Sequence, residues 1–230
     1  MFDLLTLLAL ALQGAILGLL VVAVRRRNVA AAVNTAAALA LAVLPIVLQI
    51  SSRLTLEQPL AFDPLLAVWL GVAGFLHSLG MLGLYDSTWW WDHLTHTVSA
   101  ALVAALLYAA LLVAFPTATW PGGIGAMTVA FTFVIGVFWE LIELVGRDVA
   151  DQLDVEPVLV HYGWGDTALD LVFDVVGAVG VVALDVTVFV SVVERFPAVT
   201  EGLLVASGWL VALGSVGMAL FVGVGGSIRE

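Results

Sequence analysis

Three short stretches of this 230-residue chain hold acids and imidazoles at spacings that could do chemistry. The first is Asp92, His93 and His96, directly behind Trp89, Trp90 and Trp91. The second is Glu140 and Glu143, behind Trp139. The third is Asp166, Asp170 and Asp174. Residues three or four apart are neighbours on a helix. Asp92 therefore shares a face with His96, Glu140 with Glu143, and the three aspartates form one stripe.

These stretches would gather six carboxylates, with Arg147 as the nearby fixed cation. An aspartate at the centre of a membrane costs about 2.5–3.5 kcal/mol, and less near the interface. Six acids close together stay tolerable only if several are protonated or a cation sits among them. The imidazoles favour the cation. A mixed imidazole–carboxylate set suits zinc, manganese or iron better than calcium or magnesium, and the number of donors exceeds one ion's needs. The expected ligands are His96, Glu140, Glu143 and Asp170, with Asp166 and His93 completing the metal set. Asp174 is the expected general base, with Asp92 in a supporting catalytic role. Nothing in the chain calls for an organic cofactor.

Plainer uses of the same residues compete with these. Asp92 and Asp166 are placed to cap helix N-termini. Glu143 can reach towards water or pair with Arg147 one turn on. His77 reads as a helix histidine bonded to a neighbouring carbonyl. Asp148, Asp151, Asp154 and Glu156 read as a hydrated loop, with His161 near its end. Glu140, His96 and Asp170 resist such explanations, because each is the deeper member of its group and needs a partner there.

The elements that must position these residues follow from composition. The chain is 63% apolar and 11% charged, and several runs approach the roughly 20 residues that cross a hydrocarbon core. An all-α, multi-pass membrane protein is expected, with about seven spans in one bundle forming a single domain over 1–230. The spans fall near 4–24, 29–50, 64–84, 92–115, 124–146, 167–193 and 203–224. Arg25, Arg26 and Arg27 follow the first apolar run, which argues for an uncleaved first span. If those arginines are cytoplasmic, alternation puts Arg147 and Arg229 with them, and only Arg53 and Arg195 opposite. That bias places the N-terminus outside and the C-terminus in the cytoplasm. The polar ends of spans four, five and six then share one cytoplasmic layer, with His77 at the same level. Asp174 would lie about 12 Å deeper than Asp166 along its helix.

Net charge is −11 and lysine is absent, a surface suited to concentrated salt and unsuited to nucleic acid. With no cysteine, disulfides and thiolate metal sites are excluded.

The pattern Asp92-x-x-x-His96, Trp139-Glu140-x-x-Glu143 and Asp166-Thr167-x-x-Asp170 with Gly177 resembles the YjdF-like inner-membrane proteins. More loosely, Asp170-x-x-x-Asp174-x-x-Gly177 is similar to the tail motif of VanZ-like membrane proteins, associated with glycopeptide resistance, where Asn tends to stand in place of Asp174. The likeness covers about 91–182 and implies where the site lies; it brings no reaction with it. His93 is an addition to the pattern.

Three functions fit these residues. The first is a metal-dependent hydrolase acting on a membrane lipid or lipid-linked substrate at the cytoplasmic leaflet. The second is a cation- or proton-coupled transporter, with Asp185 continuing the path. The third is a non-catalytic membrane protein whose polar cluster ties helices together.

Overall fold

The computed structural model describes residues 3–55, 59–116, 122–154, 157–159 and 163–228, with side chains described as far as Phe221. Every regular element among them is helical. Six helices have the length and composition to cross a membrane: Leu4–Arg25, Val29–Thr55, Pro64–Ser87, Trp91–Ala114, Gly123–Leu153 and Pro197–Phe221. The chain divides into two units, Met1–Thr95 and His96–Glu230.

The first unit is built on α1 (Leu4–Arg25), α2 (Val29–Thr55) and α3 (Pro64–Leu79). Asp3 caps α1 by accepting from the Thr6 amide. Asp63 caps α3 by accepting from the Leu65 amide, with Pro64 at its first position. In lipid there is no hydrophobic drive between helices, so small residues decide how closely they pack. Gly71 takes the Leu12 side chain against it, and Gly74 takes Ala38 and Ile16. These pairs make α1 and α3 parallel and in direct contact, with α2 running antiparallel to both. Pro45 interrupts the α2 ladder, and one turn earlier the buried Gln13 of α1 donates to the Ala42 carbonyl at 2.9 Å. A neighbouring side chain thus serves backbone close to a proline break.

After α3 the chain kinks within Gly80–Leu84, where Gly83 at φ 126° leaves helical geometry, and resumes as α4 (Tyr85–Ser87). The apolar run over 64–84 carries no sign of this.

The second unit comprises α5 (Trp91–Ala114) from His96 onward, α6 (Gly123–Leu153), α7 (Trp164–Ala183), α8 (Val190–Val193) and α9 (Pro197–Ile228). Side-chain meetings fix its directions. Gly125 faces Val182, Gly136 faces Leu171, and Glu140 meets Thr167, so α6 and α7 are antiparallel. His96 meets Asp174, Gly177 abuts Thr97, and Tyr108 meets Asp185, so α5 and α7 are parallel. Gly208 faces Phe131 and Gly214 faces Phe138, so α9 follows α6. The four long helices alternate in direction.

This arrangement explains the count of spans. Helix α7 is absent from the six that qualify by composition because Asp166, Asp170 and Asp174 lie along it. Yet it runs beside α5 from the level of His96 to that of Tyr108. The seventh expected segment therefore exists and lies along a qualifying helix.

Three boundaries differ from expectation. Helix α6 continues past Gly146 to Leu153, because Arg147–Leu153 contains good helix formers and Gln152 donates to Asp148 one turn back. Asp148 and Asp151 are therefore helical, and Asp154 ends the helix in the left-handed region at φ 54°. Helix α7 stops at Ala183, with Asp185 in the following turn at φ 49°. Helix α9 begins at Pro197, earlier than its apolar run, since proline suits a first helical position. Glu156, His161 and Arg229 lie outside the described residues.

Candidate functional site

The centre of the site is a pair of side chains from the parallel helices α5 and α7. His96 lies about 8 Å into α5, and Asp174 about 15 Å into α7. The His96 Nδ1 is 3.1 Å from Asp174 Oδ1, with the side chains 12% and 7% exposed. A neutral imidazole that faces a carboxylate through Nδ1 carries its proton there and its lone pair on Nε2, the tautomer that a metal ligand needs.

Two glycines make the pair possible. At Gly177 an added Cβ would strike the Thr97 carbonyl of α5, so the absence of a side chain lets the two backbones approach. At Gly136 an added Cβ would strike the Asp174 carboxylate, which rests against the α6 backbone.

Helix α6 brings Glu140 to the same place. Thr128, Thr132, Gly136 and Glu140 recur every four residues and all are buried. The two threonines return their hydroxyls to carbonyls of their own helix. Glu140 cannot do so. It is 6% exposed, and its Oε2 accepts a 2.6 Å hydrogen bond from Thr167 of α7. Its Oε1 is buried with no hydrogen-bond partner among the described residues. The charged groups within its electrostatic reach include His96, Asp174 and Asp166.

Asp170, 3% exposed, comes from the same face of α7. It offers a carboxylate oxygen within 4.8 Å of a His96 ring nitrogen. Asp92 precedes His96 by one turn on α5. An imidazole with close carboxylates is the donor set of a divalent transition metal.

The remaining expected ligands are placed differently. Glu143 accepts from the Trp139 indole at 2.9 Å on its own helix. Asp166 sits in the first turn of α7, half-buried. His93 is buried, with its ring edge-on to Trp89 at 6.4 Å. None of the three belongs to the closely spaced group, and neither does Glu140. Neither Asp92 nor Asp166 is a cap: α5 already begins at Trp91, and Gly163 precedes α7. Both still lie in first turns, where the helix dipole favours them. His77 belongs to the first unit, bonded to Asn34 and Tyr85.

Residue spacing did not single out Thr167 or Gly136. Thr167 directly follows Asp166 in the motif stretch. Gly136 continues the four-residue period that leads to Glu140, and that period was the available signal.

No curated protein and no solved structure is significantly similar to this chain. A family model described as "Predicted membrane protein (DUF2238)" matches residues 7–191, which include most of α1, all of α2 to α7 and every residue of the site. The chain is therefore a multi-pass membrane protein that carries a buried His/Asp/Glu cluster, and it belongs to the DUF2238 family of predicted membrane proteins.

Proposed function

We propose that the cluster is a divalent-metal site and that the protein is a metal-dependent hydrolase acting on a lipid or lipid-linked substrate at the cytoplasmic leaflet. The carrying observation is Glu140 Oε1, a carboxylate oxygen shut away from water with no hydrogen-bond partner among the described residues, within electrostatic reach of His96 and Asp174. A buried polar group left in that state costs about 1–3 kcal/mol, and more if charged. A cation among these residues removes that cost.

In this reading His96 and Asp170 are the principal ligands. Zinc, manganese or iron fits such donors. A bound metal of this kind would supply a water with a pKa lowered towards neutrality. Asp174, expected to be the base, holds the His96 ring in position. Glu140 Oε1 is then the atom to hold a proton taken from water, steadied by Thr167 on its other oxygen. The acidic ends of α5 and α7 lie a turn or two from their helix starts, where Trp89, Trp90 and Trp164 are exposed. Such tryptophans mark the interface, and a lipid headgroup reaches that depth.

The structure favours a site over a pathway. Beyond Asp174, α7 continues to Ala183 through valine, glycine and alanine alone. Asp185 lies past the helix, accepting from the Tyr108 hydroxyl at 2.9 Å. Simple helix glue is disfavoured by the same Glu140 oxygen, because a structural network pairs its atoms.

The test is metal analysis of the purified protein, before and after incubation with zinc or manganese. About one equivalent of a transition metal, reduced in His96→Ala and Asp170→Ala, is expected. Failure to take up metal under both conditions removes the proposal.

A further inference from the structure

The three aspartates on the α7 stripe are buried to different depths. Asp170 is 3% exposed and Asp174 5%, whereas Asp166 is half-buried in the first turn. Four residues separate each from the next, so Asp166 lies about 6 Å nearer the start of α7 than Asp170. Glu140 of α6 meets α7 between these two levels, because Thr167, the residue after Asp166, holds its Oε2 at 2.6 Å. The charge of Asp166 acts on Glu140. The other Glu140 oxygen, Oε1, is buried and has no hydrogen-bond partner among the described residues.

The start of this stripe is a poor entrance for a cation unless something corrects its charge. The first-turn amides of a helix carry about half a positive charge, which turns cations away. A carboxylate in that turn outweighs them and reverses the sign. Arg147 of α6 comes with Glu143 one turn before it and Asp151 one turn after, so α6 adds no net positive charge there. Asp166 is thus placed to draw a cation in. Asp170 and His96, which offer donor atoms within 4.8 Å of each other, are placed to keep it.

We infer that Asp166 is the entry residue of the metal site: it captures a divalent cation at the start of α7 and passes it inward along Glu140 Oε1 to Asp170 and His96, without staying as a ligand. The inference rests on the metal-site reading. A row of acids alone does not imply a cation; the buried, unpartnered oxygen between Asp166 and Asp170 does. A charge at the rim of a site sets the rate of arrival and its salt dependence, whereas buried partners set the rate of departure.

The experiment is stopped-flow mixing of the metal-free full-length protein in detergent with zinc or manganese alone. An indicator dye follows uptake, and then release into a chelator. Asp166→Asn keeps the shape and removes the charge. Its expected uptake rate is about ten-fold below the parent's, with release and metal-free thermal unfolding near the parent's. Asp166→Ser, equally suited to a first turn, should lose the same factor, and Asp166→Glu, which keeps the charge, should recover it. Asp170→Asn should instead speed release. Raising salt from about 0.1 to 1 M shortens the screening length from about 10 to 3 Å, and should slow the parent until it approaches Asp166→Asn. Parent-like uptake by Asp166→Asn overturns the inference and leaves the metal site standing. Release from Asp166→Asn as fast as from Asp170→Asn also overturns it, because Asp166 would then be a resident ligand. Equal losses in Asp166→Glu and Asp166→Asn do the same, because the charge would then be irrelevant. A parent protein that binds neither metal removes both readings together.

Discussion

The His96 ring and the Asp174 carboxylate, 78 residues apart, meet at 3.1 Å between two parallel helices. Removing one member of a buried pair strands the other, at about 3–5 kcal/mol. His96→Ala and Asp174→Ala should each destabilise the metal-free protein by about that amount. The double variant should lose less than the sum, because no partner is left stranded. A thermal or denaturant double-mutant cycle in detergent measures the coupling, and strict additivity would deny that the pair interacts.

Gly177 offers a separate check on how α5 and α7 approach. Its Cβ position is occupied by the Thr97 carbonyl and, at 3.0 Å, the Ala101 nitrogen. Both are backbone atoms of α5 and cannot rotate aside. Gly177→Ala should therefore cost about 1–3 kcal/mol by overpacking and weaken metal binding as His96 is pushed from Asp174. Gly180, where a Cβ meets nothing within 4 Å, is the control. Gly180→Ala should leave both stability and binding near the parent, measured by the same unfolding and titration curves.

The depth at which these groups meet was readable because helical spacing and apolar run length are local properties. Asp170 and Asp174 fall on one stripe in any α-helix, and His96 sits a fixed rise from Trp91. Partners were not readable in the same way. That Asp174 turns to His96, and Glu140 to Thr167, depends on which helices lie side by side and on Gly136 and Gly177 letting them close. The kink at Gly83 escaped for a related reason: the apolar run continues through it, and hydropathy does not register a change of backbone direction. The end of α7 was misplaced because the run after Ala183 remains rich in valine, and hydropathy does not register Asp185 leaving the helix.

The direction of α7 can be tested directly because the chain has no cysteine. Gln152, at the end of α6, and Thr187, beyond α7, are both exposed and lie at opposite ends of the α7 helix. If α7 crosses the membrane with the orientation set by arginine bias, a membrane-impermeant thiol reagent applied to intact cells labels Thr187→Cys and spares Gln152→Cys. Inverted vesicles should reverse the result. Labelling of both from one side would mean that α7 does not cross.

Glu140→Gln separates a cation site from a structural cluster by the sign of two effects. The side chain keeps its shape, and its amide can still accept from Thr167. What it loses is a negative charge at a buried position whose Oε1 has no hydrogen-bond partner among the described residues. In metal-free protein that loss removes a desolvation cost, so the variant should unfold at a higher temperature than the parent. With zinc or manganese present at 100 times Kd, a parent that binds metal only when folded gains about 2.7 kcal/mol. If Glu140 completes the cation's surroundings, the variant gains much less, and the order of the two melting temperatures reverses. A purely structural carboxylate gives the first effect without the second, since added metal would then move neither curve. Melting curves of the two proteins, with and without metal, decide between these outcomes.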